Sequence, residues 1–231
     1  MQRIASNVAE IRQRIDDAAQ RSGREAADVT LVAVTKYVGL PETRMLLAAG
    51  CRDLGESRPQ GLWAKADAIA ESDVCWHMIG HLQRNKVRRT IPLVWITHSG
   101  DSQRLIEEID RLADADEGRA RILLEVNISG DQAKHGFGGD ELEAALPQLA
   151  ALSNVAIRGL MAMASRDGDL SAARRDFSAL RELRDRLLEN CPAEIDLHEL
   201  SMGMSRDFEV AIEEGATMVR IGSALFEGVQ D

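Results

Sequence analysis

Aromatic residues are almost missing from this 231-residue chain: they make up 3%, with a single tyrosine, Tyr37. Base-stacking platforms and aromatic cages need several exposed rings, so that scarcity counts against both. Positive charge is in deficit as well. Lys and Arg total 28 against 38 Asp and Glu, a formal charge of −10 with a sequence pI near 5.1, which disfavours nucleic acid and anionic membrane as partners. Cysteine is sparse, and Cys51, Cys75 and Cys191 are odd in number and far apart. They make neither a disulfide framework nor a CxxC zinc signature, and read as buried free thiols. No apolar run approaches the ~18 residues of a spanning helix. Met1-Gln2-Arg3-Ile4-Ala5 leads into a charged amphipathic segment with no apolar signal core, so no membrane contact and a cytoplasmic location are expected. The dinucleotide-binding GxGxxG and the phosphate-binding GxxxxGK patterns are also absent.

What remains is an ordinary globular balance. Hydrophobic residues make up 45% and charged residues 29%, with a mean hydropathy of −0.21. That composition and length suit a single domain over 1–231, since one-domain barrels run to about 200–250 residues. Ile4, Val8, Ile11 and Ile15 are spaced as one face of a leading helix that Gly23 can end. Short β-branched runs then alternate with helix-patterned stretches. Strands are predicted at Thr30 to Thr35, Asp53 to Gly55, Val74 to Ile79, Leu93 to Thr97, Ile122 to Ile128, Ala156 to Met161, Glu194 to Leu200 and Thr217 to Ile221. The clearest helices fall at Pro41 to Ala49, Ser102 to Ala115, Glu141 to Leu152, Ser171 to Leu188 and Ser205 to Glu214. Such alternation implies right-handed crossovers and a parallel sheet. Eight strands in this length favour an α/β fold of the closed (β/α)8 TIM-barrel type, with an extra N-terminal helix. An open doubly wound sheet would use fewer strands and show a nucleotide-binding turn.

A barrel does its chemistry at the carboxyl ends of its strands. In Val32-Ala33-Val34-Thr35-Lys36, alternation puts Val32, Val34 and Lys36 on one face, so inward valines would bring the Lys36 amine into the barrel mouth. Partial burial would disfavour its charge and expose a nucleophilic nitrogen, the property that forms an imine with an aldehyde. A loop lysine snorkelling to water is the alternative. At the far end, Met218 to Phe226 reads as a last strand that breaks at Gly222 into a helical turn capped by Ser223, whose free N–H groups make an anion cradle. Leu200-Ser201-Met202-Gly203-Met204-Ser205 ends strand seven in the same style. Phosphate sites after strands seven and eight recur in barrels, although ordinary strand-to-helix punctuation looks the same. Arg220 alternates with Val219 and Ile221. One parity sends its guanidinium inside, where it can anchor a phosphate or face a heterocycle's ring nitrogen and keep it unprotonated. His77 and His81 are four apart, but Gly80 separates strand from loop, so no metal pair is expected and His77 reads as a satisfied strand-end histidine. Asn127, Ser129, Lys134 and His135-Gly136 follow strand five near the same rim, and Met161 and Met163 read as core filling.

Taken together, Leu31 to Lys36, Gly55-Glu56-Ser57, Trp76 to Gln83, Val126-Asn127-Ile128, Gly159-Leu160-Met161, Leu200 to Ser205 and Met218 to Phe226 resemble the pyridoxal phosphate homeostasis proteins, the YggS/PROSC family. The barrel of that family is similar to the N-terminal domain of alanine racemase. The resemblance implies that Lys36 forms an imine with pyridoxal 5′-phosphate (PLP), that Ser201, Gly222 and Ser223 hold the phosphate, and that Arg220 lies near the ring nitrogen. Ser57, His77 and Met204 complete the implied cofactor set, with no metal. One block departs. Where the family usually reads Gly-Glu-Asn-Tyr before a glutamate-containing helix start, this chain has Gly55-Glu56-Ser57-Arg58-Pro59-Gln60-Gly61. Ser57 thus stands in for an asparagine contact, Arg58 adds a positive charge at the rim and Gly61 removes a carboxylate.

The function implied is a non-catalytic, monomeric PLP-binding protein of intracellular PLP homeostasis, linked to amino-acid and keto-acid balance, with PLP-dependent apoenzymes as partners. A PLP-dependent amino-acid racemase is the alternative, and a Schiff-base aldolase a third class. Racemisation needs proton donors and acceptors on both faces of the substrate. In the racemase that the barrel resembles, a tyrosine from a partner's second domain serves one face. Eight βα units leave no room for that domain here, and Tyr37, next to Lys36 on a strand, should point away. An arginine at the ring nitrogen also weakens the ring as an electron sink. The aldolase reading has only Glu56 and Glu125 as strand-end carboxylates.

Overall fold

The computed structural model describes residues 2–69, 71–113, 118–128, 135–165 and 168–229. The strands are β1 (Thr30–Val34), β2 (Asp53–Glu56), β3 (Cys75–Met78), β4 (Ile96–Gly100), β5 (Ala120–Glu125), β6 (Val155–Met161), β7 (Glu199–Ser201) and β8 (Met218–Ile221). They pair in chain order into a closed barrel, parallel throughout, with Thr30 of β1 opposite Met218 of β8 at the seam. Among the described residues the α-helices are α1 (Gln2–Arg21), α2 (Leu40–Ala48), α3 (Pro59–Ala68), α4 (Val87–Thr90), α5 (Gln103–Leu112), α6 (Gly139–Ala150), α7 (Leu170–Leu188) and α8 (Phe208–Glu213). None is long and apolar enough to cross a membrane.

Alternation along each strand sorts side chains between two cores. Val32, Ile96, Leu123, Met161 and Met218 cluster inside the barrel, whereas Ala33, Leu54, Met78, Ile122, Leu124, Leu200 and Val219 face outward and pack beneath the helices. Burial on both faces explains why the strands read as short continuous apolar runs. Gly159 of β6 sits at φ +154°, and a Cβ there would lie 1.9 Å from the Glu199 carbonyl oxygen. Only glycine lets β7 approach β6 so closely.

Helix α1, expected as an addition, completes the helical ring. Beyond β8 the described residues make a 3-10 turn, Ser223–Phe226, and α1 packs against that turn, α8 and α2. Its apolar face buries Ile4, Val8, Ile11 and Ile15, each contributing about 1.5–3 kcal/mol relative to exposure. Asn7 Nδ2 donates to the Leu225 and Glu227 carbonyls at 3.1 and 2.9 Å, and the Arg14 guanidinium forks onto the Glu209 carboxylate.

Several boundaries move. Pro92 lies in a 3-10 turn, Ile91–Leu93, so the fourth strand starts later than predicted and runs on through His98 to Gly100. The seventh strand is only Glu199–Ser201, and the fifth ends at Glu125. The predicted end of the fifth helix, Ala115, lies outside the described residues, as do Ser129 and Lys134. Of the three free thiols, Cys51 is buried, but Cys75 and Cys191 are only half-buried.

Candidate functional site

Strand β1 places Val32 inside the barrel, so its carboxyl end delivers the next turn to the mouth. Lys36 sits in that turn and is exposed. Its Nζ lies 5.0 Å from the centroid of the Tyr37 ring, which is itself 89% exposed. Two expectations change here. The amine is not partly buried, and Tyr37 does not point away across a strand, because both residues have already left β1. The turn is anchored just before them. Thr35 donates its N–H to the Gly55 carbonyl at 2.9 Å and its hydroxyl to Glu56 Oε1 at 2.6 Å. The buried Lys65 ammonium of α3 donates to the Thr35 carbonyl at 2.7 Å and to Glu56 Oε1 at 2.5 Å.

Beside this turn, Gly222 packs on Val34, where an added Cβ would touch the valine at 3.4 Å. The N–H groups of Gly222 and Ala224 both point at the Ser205 hydroxyl, at 3.3 and 3.5 Å. That pair forms an anion cradle between the β7 and β8 loops. Ser223 has its side chain exposed, and Met204 is 39% exposed at the rim. Gly203, at φ +90° with Ala211 and Phe208 pressed against it, lets the loop double back and bring Ser205 over the turn. Ser201, expected at the phosphate, lies elsewhere: it is fully buried inside the barrel.

Ser201 belongs to a polar column through the barrel interior. Asp53 Oδ1 lies 3.0 Å from His77 Nε2, His77 Nδ1 lies 2.9 Å from His98 Nε2, and His98 Nδ1 lies 2.8 Å from Ser201 Oγ. Arg220 donates to Ser201 Oγ at 2.5 Å and to the Ala162 carbonyl at 3.0 Å. When each imidazole carries one proton, the chemistry admits one direction. An ionised Asp53 only accepts, so His77 donates to it from Nε2 and accepts at Nδ1 from His98, and His98 accepts at Nδ1 from the Ser201 hydroxyl, whose oxygen accepts from Arg220. Burial, then the charges of His77 and Arg220, hold His98 well below the usual imidazole range. His77 therefore does not reach the mouth, because both its ring nitrogens are taken within the column. Ser57 is half-buried at the end of β2, with its backbone packed against Gly80.

Arg220 has the inward parity. Burial lowers it to about 10, against the raising effects of Glu125 and Asp207, so it stays cationic at neutral pH. Among the described residues no carboxylate ion-pairs with it. Glu125, at the end of β5, is pushed up to about 7, first by burial and then by Asp101. The site therefore presents a buried cation next to a carboxyl that is only partly ionised at neutral pH.

His98, Ser205 and the Lys65–Glu56 pair are what sequence reasoning missed. Ending the fourth strand at Thr97 hid His98. Ser205 lies in the predicted strand-seven loop, but nothing in the local pattern singles it out from Ser201 as the cradle hydroxyl. Met161 is inside the barrel as expected, but Met163 is 40% exposed.

Residues 2–229 match the family described as alanine racemase, N-terminal domain. An alanine racemase of Clostridium difficile superposes on the whole chain with a TM-score of 0.74 at 13% identity, using 57% of its own length; the likeness is one of fold. The class is thus the racemase-type barrel with a strand-end lysine. Two curated proteins named pyridoxal phosphate homeostasis protein are more alike. That of Pseudomonas aeruginosa is 38% identical over 231 residues, covering 100% of this chain and 97% of its own; that of Aquifex aeolicus is 38% identical, covering 93% of each. PipY of Synechococcus elongatus, solved with PLP bound, has a TM-score of 0.85 at 34% identity, covering 96% of this chain and 99% of its own. The chain belongs to the pyridoxal phosphate homeostasis protein family.

Proposed function

We propose that this barrel, as one functional unit over 1–231, binds pyridoxal 5′-phosphate at its mouth. It holds the cofactor for exchange with PLP-dependent apoenzymes, as a cytoplasmic monomer and without efficient turnover. The observation that carries the reading is the convergence, on neighbouring strands β1 and β8, of an exposed amine, an N–H cradle and a buried cation. PipY, 34% identical, is described as holding PLP.

The cofactor would supply an electrophilic aldehyde carbon. Lys36 would supply the nucleophilic amine suited to such a carbon. The Gly222 and Ala224 N–H groups, with the Ser205 hydroxyl, would hold the phosphate, and Ser57, Met204 and Ser223 would flank the opening. Arg220, fixed by Ser201 Oγ and the Ala162 carbonyl, would stand toward the ring nitrogen. A cation there would oppose protonation of that nitrogen and weaken electron withdrawal by the ring, which would favour retention over carbanion chemistry.

The test is the visible spectrum of protein loaded with PLP, before and after borohydride, followed by peptide mass spectrometry. A reducible chromophore and a pyridoxyl adduct on Lys36 are expected, and Lys36→Ala should lose both while keeping its fold. An adduct confined to another lysine, or an unchanged chromophore in Lys36→Ala, overturns the assignment.

A further inference from the structure

His81, Asp101 and His135 follow β3, β4 and β5, three separate strand-end loops, yet one ligand atom from each lies within 4.8 Å of the other two. His81 Nδ1 is 2.5 Å from Asp101 Oδ2, and the His81 and His135 rings stack with centroids 4.6 Å apart and planes 16° off parallel. The carboxylate is held in place. Its side chain is 4% exposed, its Oδ1 accepts from the Ser102 hydroxyl at 3.0 Å, and the Asp101 N–H donates to the Ser99 carbonyl at 2.9 Å. Oδ2 is left facing the imidazoles.

We propose that His81, Asp101 and His135 form a binding site for a divalent transition-metal cation on the rim of the barrel. Two imidazole nitrogens with one carboxylate oxygen suit zinc, cobalt, nickel or ferrous iron, whereas magnesium and calcium prefer all-oxygen sets. Three protein ligands leave at least one coordination position unfilled. His81 and Asp101 also line an open cavity of about 370 Å³, so water or a small anion can reach that position. Arg84 and Arg104 line the same cavity and favour an anionic fourth ligand. The balance of the step is simple. The cation takes the lone pair of His81 Nδ1 in place of any proton there: from a neutral imidazole that proton moves to Nε2, and from an imidazolium one proton passes to solvent. Three ligands from three loops have no mutual sequence spacing, which is why no motif announces them.

The proposal does not rest on PLP binding, so chelator-treated full-length protein is titrated with zinc chloride and, separately, cobalt chloride by calorimetry and absorbance. One cation per chain is expected, with a nitrogen and oxygen cobalt spectrum free of thiolate charge transfer, and no comparable binding of magnesium. His81→Ala and His135→Ala should each weaken affinity by at least about tenfold, the lower end of what even outer-shell changes cost. His135 is exposed, so His135→Ala should keep its melting temperature, whereas His81→Ala, which takes the imidazole from the Asp101 carboxylate, should stay folded with a lower one. Absence of stoichiometric binding overturns the proposal. So does a thiolate spectrum, which would place the cation on cysteine, or binding that both variants leave unchanged.

Discussion

Single side chains divide here between touching a ligand and holding the group that does. Ser205 and Ser201 make the contrast testable. Ser205 Oγ already meets two N–H groups of the cradle, so Ser205→Ala should weaken PLP retention about tenfold, a loss near 1.5 kcal/mol for a hydrogen bond to a charged group. Ser201→Ala should instead remove the shared partner of His98 and Arg220, lowering stability by about 1–3 kcal/mol. Equilibrium dialysis and urea unfolding separate the two, and the reverse pattern would restore Ser201 to the phosphate. Glu125 offers a pH test. Its folded value near 7 lies above the ordinary 4.5, so the folded state binds the proton more tightly. The stabilisation is complete below about pH 4.5 and lost as pH rises through 7. Glu125→Gln in chelator-treated, PLP-free protein should therefore be more stable at pH 8, by at most about 3 kcal/mol, with the gain fading toward pH 5. A gain that grows on acidification would contradict this.

At the scale of elements, the question is what holds the Lys36 turn against the barrel. Helix α3 does so through one buried charge. Lys65 spans from α3 to Glu56 on β2 and to the Thr35 carbonyl after β1. Both charged side chains are at most 10% exposed. Lys65→Met leaves the Glu56 carboxylate buried beside only the Thr35 hydroxyl. Breaking a buried pair in this way costs about 3–5 kcal/mol, or a melting-point drop on the order of 10 °C for a chain of this size. Glu56→Gln combined with Lys65→Met should recover part of that loss. A change below about 1 kcal/mol in the single variant, measured by urea unfolding, would show that α3 is anchored otherwise.

For the whole molecule, the barrel is set against the racemases that share its fold. This chain aligns with 57% of the Clostridium difficile enzyme. Tyr37 sits beside Lys36, which puts these two groups at one place rather than on opposite faces of a ligand. Incubation of PLP-loaded protein with L- or D-alanine should show at most trace racemisation, far below the ~1–10³ s⁻¹ of a competent enzyme. One missing positioned acid or base alone removes a factor of about 10²–10⁴. Turnover in the ordinary range by chiral chromatography, abolished in Lys36→Ala, would make the racemase reading correct.

The sequence by itself determined the eight βα units, the alternation along β1 and β8, the strand-end lysine and the Gly222 turn, but left open which face of those strands turns inward. Each of these follows from alternation or a local backbone requirement within a few residues. It did not determine what the inward polar residues do. His98, Ser201 and Arg220 come from β4, β7 and β8, and only closure of the barrel sets them at hydrogen-bond distance. The same closure brings His81, Asp101 and His135 together and turns Ser205 over the cradle. Short-range pattern encodes which residues of a strand share a face. Which other residue waits on that face depends on strand order, register and loop path, and those exist only in the folded chain.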